Sequence, residues 1–159
     1  MMYRITHRAY LMAAQLRIGL FLLITIVLLV SCDTRKDYSV DIAAIYAVLQ
    51  VRQQAVANSD LDLYDSILFS DYSDAGIRRD LVLEDIKITF DRFPVLTLQQ
   101  PRIRPDVKRN SARILQSSMY QSASGKKSVQ LREVLMFRKS AGKWYLSGGI
   151  ALGVASKMK

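Results

Sequence analysis

The chain has 159 residues, half of them apolar, with one cysteine, one histidine and a formal net charge of +9. That length holds one domain and an appendage rather than two domains. The charge would point to nucleic acid or an anionic surface if it were spread evenly. Instead residues 1–32 balance to +3, residues 33–91 to −6 and residues 92–159 to +12. The chain is polarised, and part of its basicity is expected to pair internally.

Ile18 to Val30 reads IGLFLLITIVLLV, with Arg17 directly before it. A membrane-spanning helix needs roughly 20 apolar residues, whereas the apolar region of a signal peptide needs about 7–15. The segment has signal-peptide length. The stretch before it is long, and Met12 offers an alternative start; an uncleaved anchor is the competing reading.

Leu29-Val30-Ser31-Cys32 resembles the lipobox of bacterial lipoproteins, with an aliphatic residue at −3, a small one at −1 and Cys at +1. The resemblance implies cleavage before Cys32 and acylation of that residue. Stable attachment needs more than one acyl chain, and such lipidation supplies two or three. Asp33 resembles the inner-membrane retention signal of enterobacterial lipoproteins. These features imply a lipid-anchored protein of the bacterial envelope, facing the periplasm. Residues 1–31 are then the signal peptide, 32–39 the lipidated Cys and tether, 40–153 the domain and 154–159 a flexible basic tail.

In the domain, Asp41 is expected to cap a helix whose apolar face is Ile42, Ile45, Tyr46, Leu49, Gln53 and Val56. Ser59 or Asp60 caps a short second helix bearing Leu61, Tyr64, Ile67 and Leu68. Ser70–Arg79 reads as a loop with Gly76 at a turn. Asp80 caps a third helix in which Leu83, Ile86, Phe90 and Phe93 share a face, and Pro94 ends it.

After Pro94 the apolar period falls to two. Val95–Gln100, Ala112–Gln121, Ser128–Lys139 and Lys143–Ile150 read as strands. Pro101 and Pro105 make Arg102-Ile103-Arg104 an edge or a bulge. Two-residue turns at Ser124-Gly125 and Ala141-Gly142 set Gln116 opposite Glu133, Ile114 opposite Leu135, Phe137 opposite Leu146, Leu135 opposite Gly148 and Glu133 opposite Ile150. One sheet face then carries Ala112, Ile114, Tyr120, Val129, Leu131, Leu135, Phe137, Trp144, Leu146 and Ile150, and must cover the helices. The other carries Arg113, Gln130, Arg132, Arg138 and Tyr145.

The architecture is α+β, with three N-terminal helices packed on a curved antiparallel sheet of four or more strands. The order of elements resembles the nuclear transport factor 2-like (SnoaL-like) superfamily. The resemblance is carried by the long first helix, Ala57-Asn58-Ser59-Asp60-Leu61, Phe69-Ser70-Asp71-Tyr72-Ser73-Asp74 and the ending Phe137-Arg138-Lys139…Gly142-Lys143-Trp144-Tyr145-Leu146. It implies a cone-like fold with a cavity on the helix side of the sheet, and frequent homodimers.

His7 precedes the cleavage point, so the processed domain has no His and no Cys beyond the anchor. Ser-His-Asp and Cys-His nucleophilic systems and His-based metal sites are excluded from it. The chain has no glycine-rich phosphate loop and no calcium loop, and no cofactor or metal is implied. Nucleic acid fails on the location of the bases and on the absence of interleaved aromatics.

Glu133 stands out, as a carboxylate on the apolar sheet face. It is a candidate pocket acid acting with Tyr120, or a ligand anchor together with Gln116, Tyr46 and Tyr120. Alternatively it forms a structural salt bridge to Arg52 or another helix base, or sits at a rim position. Tyr46, Tyr64 and Tyr72 either line a cavity and offer hydroxyls or pack in the core with the OH reaching solvent, and Trp144 reads as packing. Arg102, Arg104, Lys108, Arg109 and Arg113 form a basic stretch, either a solvated loop or a contact for anionic headgroups or an acidic partner. Three function classes follow. One is a membrane-anchored domain that binds a small apolar ligand or an envelope protein. A second is a small isomerase- or lyase-type enzyme using Glu133 and a tyrosine. A third is a purely structural subunit of an envelope complex, which an exposed apolar patch on the outer sheet face would favour.

Overall fold

The computed structural model describes residues 37–158. The expected signal peptide and Cys32 lie outside the described residues.

The domain opens with α1, Ser39–Asn58, which buries Ile45, Val48, Leu49, Arg52, Ala55 and Val56. Steps of three and four place these on one face. The expected face included Gln53, but Arg52 is the residue turned inward, while Ile42, Tyr46 and Gln53 are half-buried. Ser59 ends α1 in the left-handed region. Asp60 caps α2, Leu61–Ser66, by accepting the Leu63 N–H at 2.8 Å.

Two short strands, β1 (Ser73–Asp74) and β2 (Ile77–Arg78), form a hairpin where a loop was expected. Ala75 and Gly76 both have positive φ, the geometry of a tight hairpin turn. Helix α3, Arg79–Arg92, follows at once and buries Val82, Ile86, Thr89 and Phe90. Asp80 lies inside its first turn and pairs with Arg78 at 2.6 Å rather than capping it.

The main sheet contains β3 (Leu96–Gln99), β4 (Asp106–Lys108), β5 (Ser111–Ser122), β6 (Ser128–Ser140) and β7 (Lys143–Gly148). Its order is β3-β5-β6-β7, with β4 also paired to β5. It is antiparallel throughout and curls strongly around the helices. Residues 102–104 join β3 to β4 and belong to neither strand.

The β5–β6 register is the expected one, with Gln116 opposite Glu133 and Ile114 opposite Leu135. The turn is longer than expected, but Ser122 N–H bonds Lys127 O at 2.9 Å, so the hairpin keeps the same midpoint. Between β6 and β7, Phe137 faces Leu146 as expected. A bulge at Met136/Phe137 then moves Gly148 opposite Met136 instead of Leu135, and β7 ends before Ile150. The expected pairing of Glu133 with Ile150 is therefore lost. All the expected inward residues are buried except Val129, which is half-buried against the core.

The C-terminus departs from the expected flexible tail. Val154–Lys157 forms a short helix, α4, packed against α3, and Val154, Ala155 and Met158 are buried. Three apolar side chains within five residues outweigh Lys157, whose ammonium turns back to bond Leu152 O at 2.8 Å.

Gly149 makes the turn from β7 toward this helix. Its φ is +82°, and a Cβ there would stand 1.8 Å from the Val134 carbonyl oxygen. Gly149→Ala is expected to lower unfolding free energy by roughly 2–5 kcal/mol through left-handed strain and overpacking. Gly142→Ala, with φ +79° and nothing within 4 Å, carries only the strain, about 1 kcal/mol. Urea unfolding of the two variants side by side measures the difference.

Candidate functional site

The interior of the curled sheet is occupied by a polar network built on Arg52 and Glu133. Helix α1 delivers Arg52 from its core face, and β6 delivers Glu133 opposite Gln116. Both side chains are fully buried. The guanidinium meets the carboxylate as a fork, with Nη1 donating to Oε2 at 2.9 Å and Nη2 to Oε1 at 2.7 Å. Nη2 also donates to the Tyr120 hydroxyl at 2.8 Å, and Nε to the Tyr64 hydroxyl at 3.1 Å.

Glu133 is met from two further directions. The Ser118 hydroxyl donates to Oε2, and the Ala151 N–H donates to Oε1 at 3.1 Å. Gln116 Nε2 in turn donates to Ser118 Oγ at 2.9 Å. Each carboxylate oxygen thus accepts two hydrogen bonds.

Burial alone would push the Glu133 carboxyl up, but the charge and bonds of Arg52, with help from Ser118 and Ala151, hold it below its ordinary 4.5. Burial works against the Arg52 charge as well, and Glu133 outweighs it and raises Arg52 well above its usual value. Burial raises Tyr64 and Tyr120, so both remain neutral phenols. A general base needs a free lone pair and a pKa near the working pH. In this arrangement both Glu133 oxygens are fully engaged and its carboxyl is held down rather than raised toward neutral pH.

Of the sequence-derived ligand candidates, Glu133, Gln116 and Tyr120 converge on this network, and Tyr46 does not. Tyr46 sits on the far edge of α1 under the Arg102 guanidinium, 4.8 Å from its ring centroid. There it lines a small cleft of about 150 Å³ with Gln50, Gln53 and Gln100. The Tyr72 hydroxyl accepts the Ile150 N–H at 3.2 Å, and burial pushes its pKa up to about 12. Trp144 donates its indole N–H to Asp41 at 2.9 Å. Ser118 and the Ala151 amide were not singled out in the sequence, since a serine and a backbone N–H carry no pattern.

The outer face of the sheet is different in kind. Leu115 and Val134 are directly paired across β5 and β6, and are 49% and 45% exposed. Met119 and Met136 flank them half-buried, and Arg113, Arg132 and Arg138 are exposed around them. A cleft of about 540 Å³ on this side is lined by Asp71, Ser73, Lys108, Arg113, Met136 and Arg138 among others.

Breaking the buried pair is expected to be costly. Glu133→Gln leaves a buried guanidinium unpaired and should lose about 3–5 kcal/mol, while Arg52→Met combined with Glu133→Leu should recover most of it. Because the folded pKa of Glu133 is depressed, its contribution is present above the unfolded value and is lost as pH falls through the folded one. Wild-type stability should therefore drop below about pH 4, and more steeply than that of the double variant. Urea midpoints measured against pH test both expectations.

No family model and no curated sequence matches the chain. Solved structures do. A protein of unknown function with a cystatin-like fold from Nostoc punctiforme is 15% identical, covering 69% of this chain and 87% of that one at TM-score 0.59. A candidate dehydratase of the NTF2-like family from Streptomyces avermitilis is 12% identical over 69% of this chain and 93% of that one, at TM-score 0.57. Bd1075 of Bdellovibrio bacteriovorus is 11% identical over 68% of this chain, at TM-score 0.59, and the match spans only 38% of that longer protein. Identities this low speak to fold alone. The fold is the helix-on-curled-sheet architecture shared by nuclear transport factor 2-like and cystatin-like proteins.

Proposed function

We propose that this chain is a lipid-anchored bacterial envelope protein whose domain works by binding a protein partner on the outer face of its sheet. The observation that carries the choice of binding over catalysis is the saturated Arg52–Glu133 pair. A dehydratase or isomerase of this architecture would need an interior acid or base free to move a proton, and the Glu133 carboxylate is committed to Arg52. The clefts of about 540, 380 and 150 Å³ are all lined without Glu133, Gln116 or Tyr120. That favours an external partner over an apolar ligand beside these residues.

Leu115 and Val134 supply the apolar centre of such an interface, and the surrounding arginines its rim. A second copy placed face to face would set Arg113, Arg132 and Arg138 against their own kind. The charge therefore favours a different, acidic protein over a homodimer through this face. The anchor rests on Leu29-Val30-Ser31-Cys32, and Asp33 favours the inner membrane with the domain in the periplasm.

Cys32→Ser should abolish incorporation of labelled fatty acid and leave the precursor unprocessed; an unchanged lipid signal sinks the anchor. For the interface, a photo-crosslinking residue at Leu115 in living cells should give a discrete adduct, lost on Val134→Arg. The same residue at Ile88, 52% exposed on α3, should give none. An equal pattern at both positions would sink the sheet-face reading.

A further inference from the structure

We infer that the end of the sheet beside the start of α1 is a docking face for an anionic bilayer. The inference rests on the lipid-anchor reading and adds which side of the domain meets the membrane.

Position comes first. The Arg109 N–H donates to the Tyr38 hydroxyl at 3.4 Å, and Asp41 in the first turn of α1 accepts from Lys139 Nζ at 2.6 Å and Trp144 Nε1 at 2.9 Å. Lys139 N–H bonds Asn110 O at 2.8 Å. The first residues of the domain therefore lie beside both the β4–β5 turn and the β6–β7 turn. Only six residues stand between Cys32 and Ser39. Fully extended, that segment spans at most roughly 25 Å, so an acylated Cys32 keeps this end within reach of the bilayer without itself pressing the face onto it.

Charge comes second. Arg109 in the β4–β5 turn and Lys108, Arg138 and Lys143 on the strand ends beside the two turns are all exposed. Strand pairing sets Lys108, Ser111, Arg138 and Tyr145 in one row across β4, β5, β6 and β7. The nearby acids are mostly engaged. Asp41 serves Lys139, Asp65 is held by Arg79 at 2.5 Å and Asp106 lies 3.7 Å from Arg113. Asp71 lines the adjoining cleft with Lys108, Arg113 and Arg138. The excess is positive, which complements the negative surface of a phosphatidylglycerol-containing leaflet; each such cation near that surface contributes roughly a fivefold gain in binding.

The docked domain stands with β5 and β6 rising from the membrane. The β5–β6 turn is then on the order of 30 Å further out along the strands, and Leu115 and Val134 face sideways, open to a partner.

The test uses the protein as isolated from membranes, carrying a single fluorophore on Ser140→Cys at the tether end or on Ser124→Cys at the far turn. It is reconstituted into vesicles of phosphatidylcholine alone or with phosphatidylglycerol, with a quencher on the lipid headgroups. Quenching at 140 well above that at 124 is expected, only with phosphatidylglycerol, and reduced by high salt. Lys108→Gln/Arg138→Gln/Lys143→Gln should remove it with the circular dichroism spectrum unchanged, and Lys126→Gln should not. Equal quenching at the two positions, or the same result without phosphatidylglycerol, overturns the docking face. If Cys32 carries no acyl chain, the anchor reading falls separately. Docking is then read from the same protein added to preformed vesicles, and stands only if quenching at 140 still requires phosphatidylglycerol.

Discussion

The buried fork between Arg52 and Glu133 is the constraint on which the rest of this domain depends. Two charges are held out of water, and neither is tolerable without the other. A buried pair of this kind adds little net stability over well-packed apolar residues. What it adds is geometry. The guanidinium accepts the carboxylate in one plane and at one distance, which fixes the rotation and depth of α1 on the sheet. A one-residue slip of β6 would carry Glu133 to the outer face and strand Arg52. The pair acts here as a registry device for a helix lying on a strongly curled sheet.

The same network closes the C-terminal end of the fold. Beyond β7 the backbone has no ladder partner, and its amides are satisfied one by one by side chains. Gly149 donates to Asp74, Ile150 to Tyr72, Ala151 to Glu133 and Gly153 to both oxygens of Asp85. Buried N–H groups must find acceptors, and these acceptors come from β1, the β1-preceding loop, β6 and α3. The segment so held delivers Val154 and Met158 to the core. A single carboxylate thus ties α1 to β6 and β6 to the chain's last turn. The carboxylate that was the candidate pocket acid is thus the hub of these contacts.

Much of this was legible in the sequence, for identifiable reasons. Alternation of period two over β5 and β6 is long enough to fix which residues face inward. The midpoint of their hairpin survives a change of turn length, because an even-numbered turn centred on the same bond preserves every pair. The bulge at Met136 was not legible. It falls between the Phe137–Leu146 and Met136–Gly148 pairs, and a single extra residue in one strand carries no sequence signal of its own. The sequence offers Arg52 among the helix bases that could pair with Glu133, yet its apolar spacing puts Gln53 on the helix face, since a charge reads as solvent-facing until its partner is known. The terminal helix was missed because four residues give no periodicity. The short β4 was missed because its single turn from β5 places Arg109 at positive φ, which no proline or glycine announces.

The charge polarity of the chain persists in the folded domain, and this bears on where function lies. Of the ion pairs among the described residues, Arg52–Glu133 and Lys139–Asp41 join the acidic half to the basic half. Others close within one half, as Arg79–Asp65 and Arg113–Asp106 do. Folding therefore does not cancel the two excesses. It assigns the acidic one to the helical layer and the basic one to the outer sheet face and its turns. With Glu133 engaged by Arg52, the oppositely charged sides are the features that the proposed partner would read. On that proposal, a field of this polarity would act before contact and turn the basic side toward an anionic surface or acidic protein. Leu115 and Val134, the exposed apolar pair on that same side, would then complete the proposed contact.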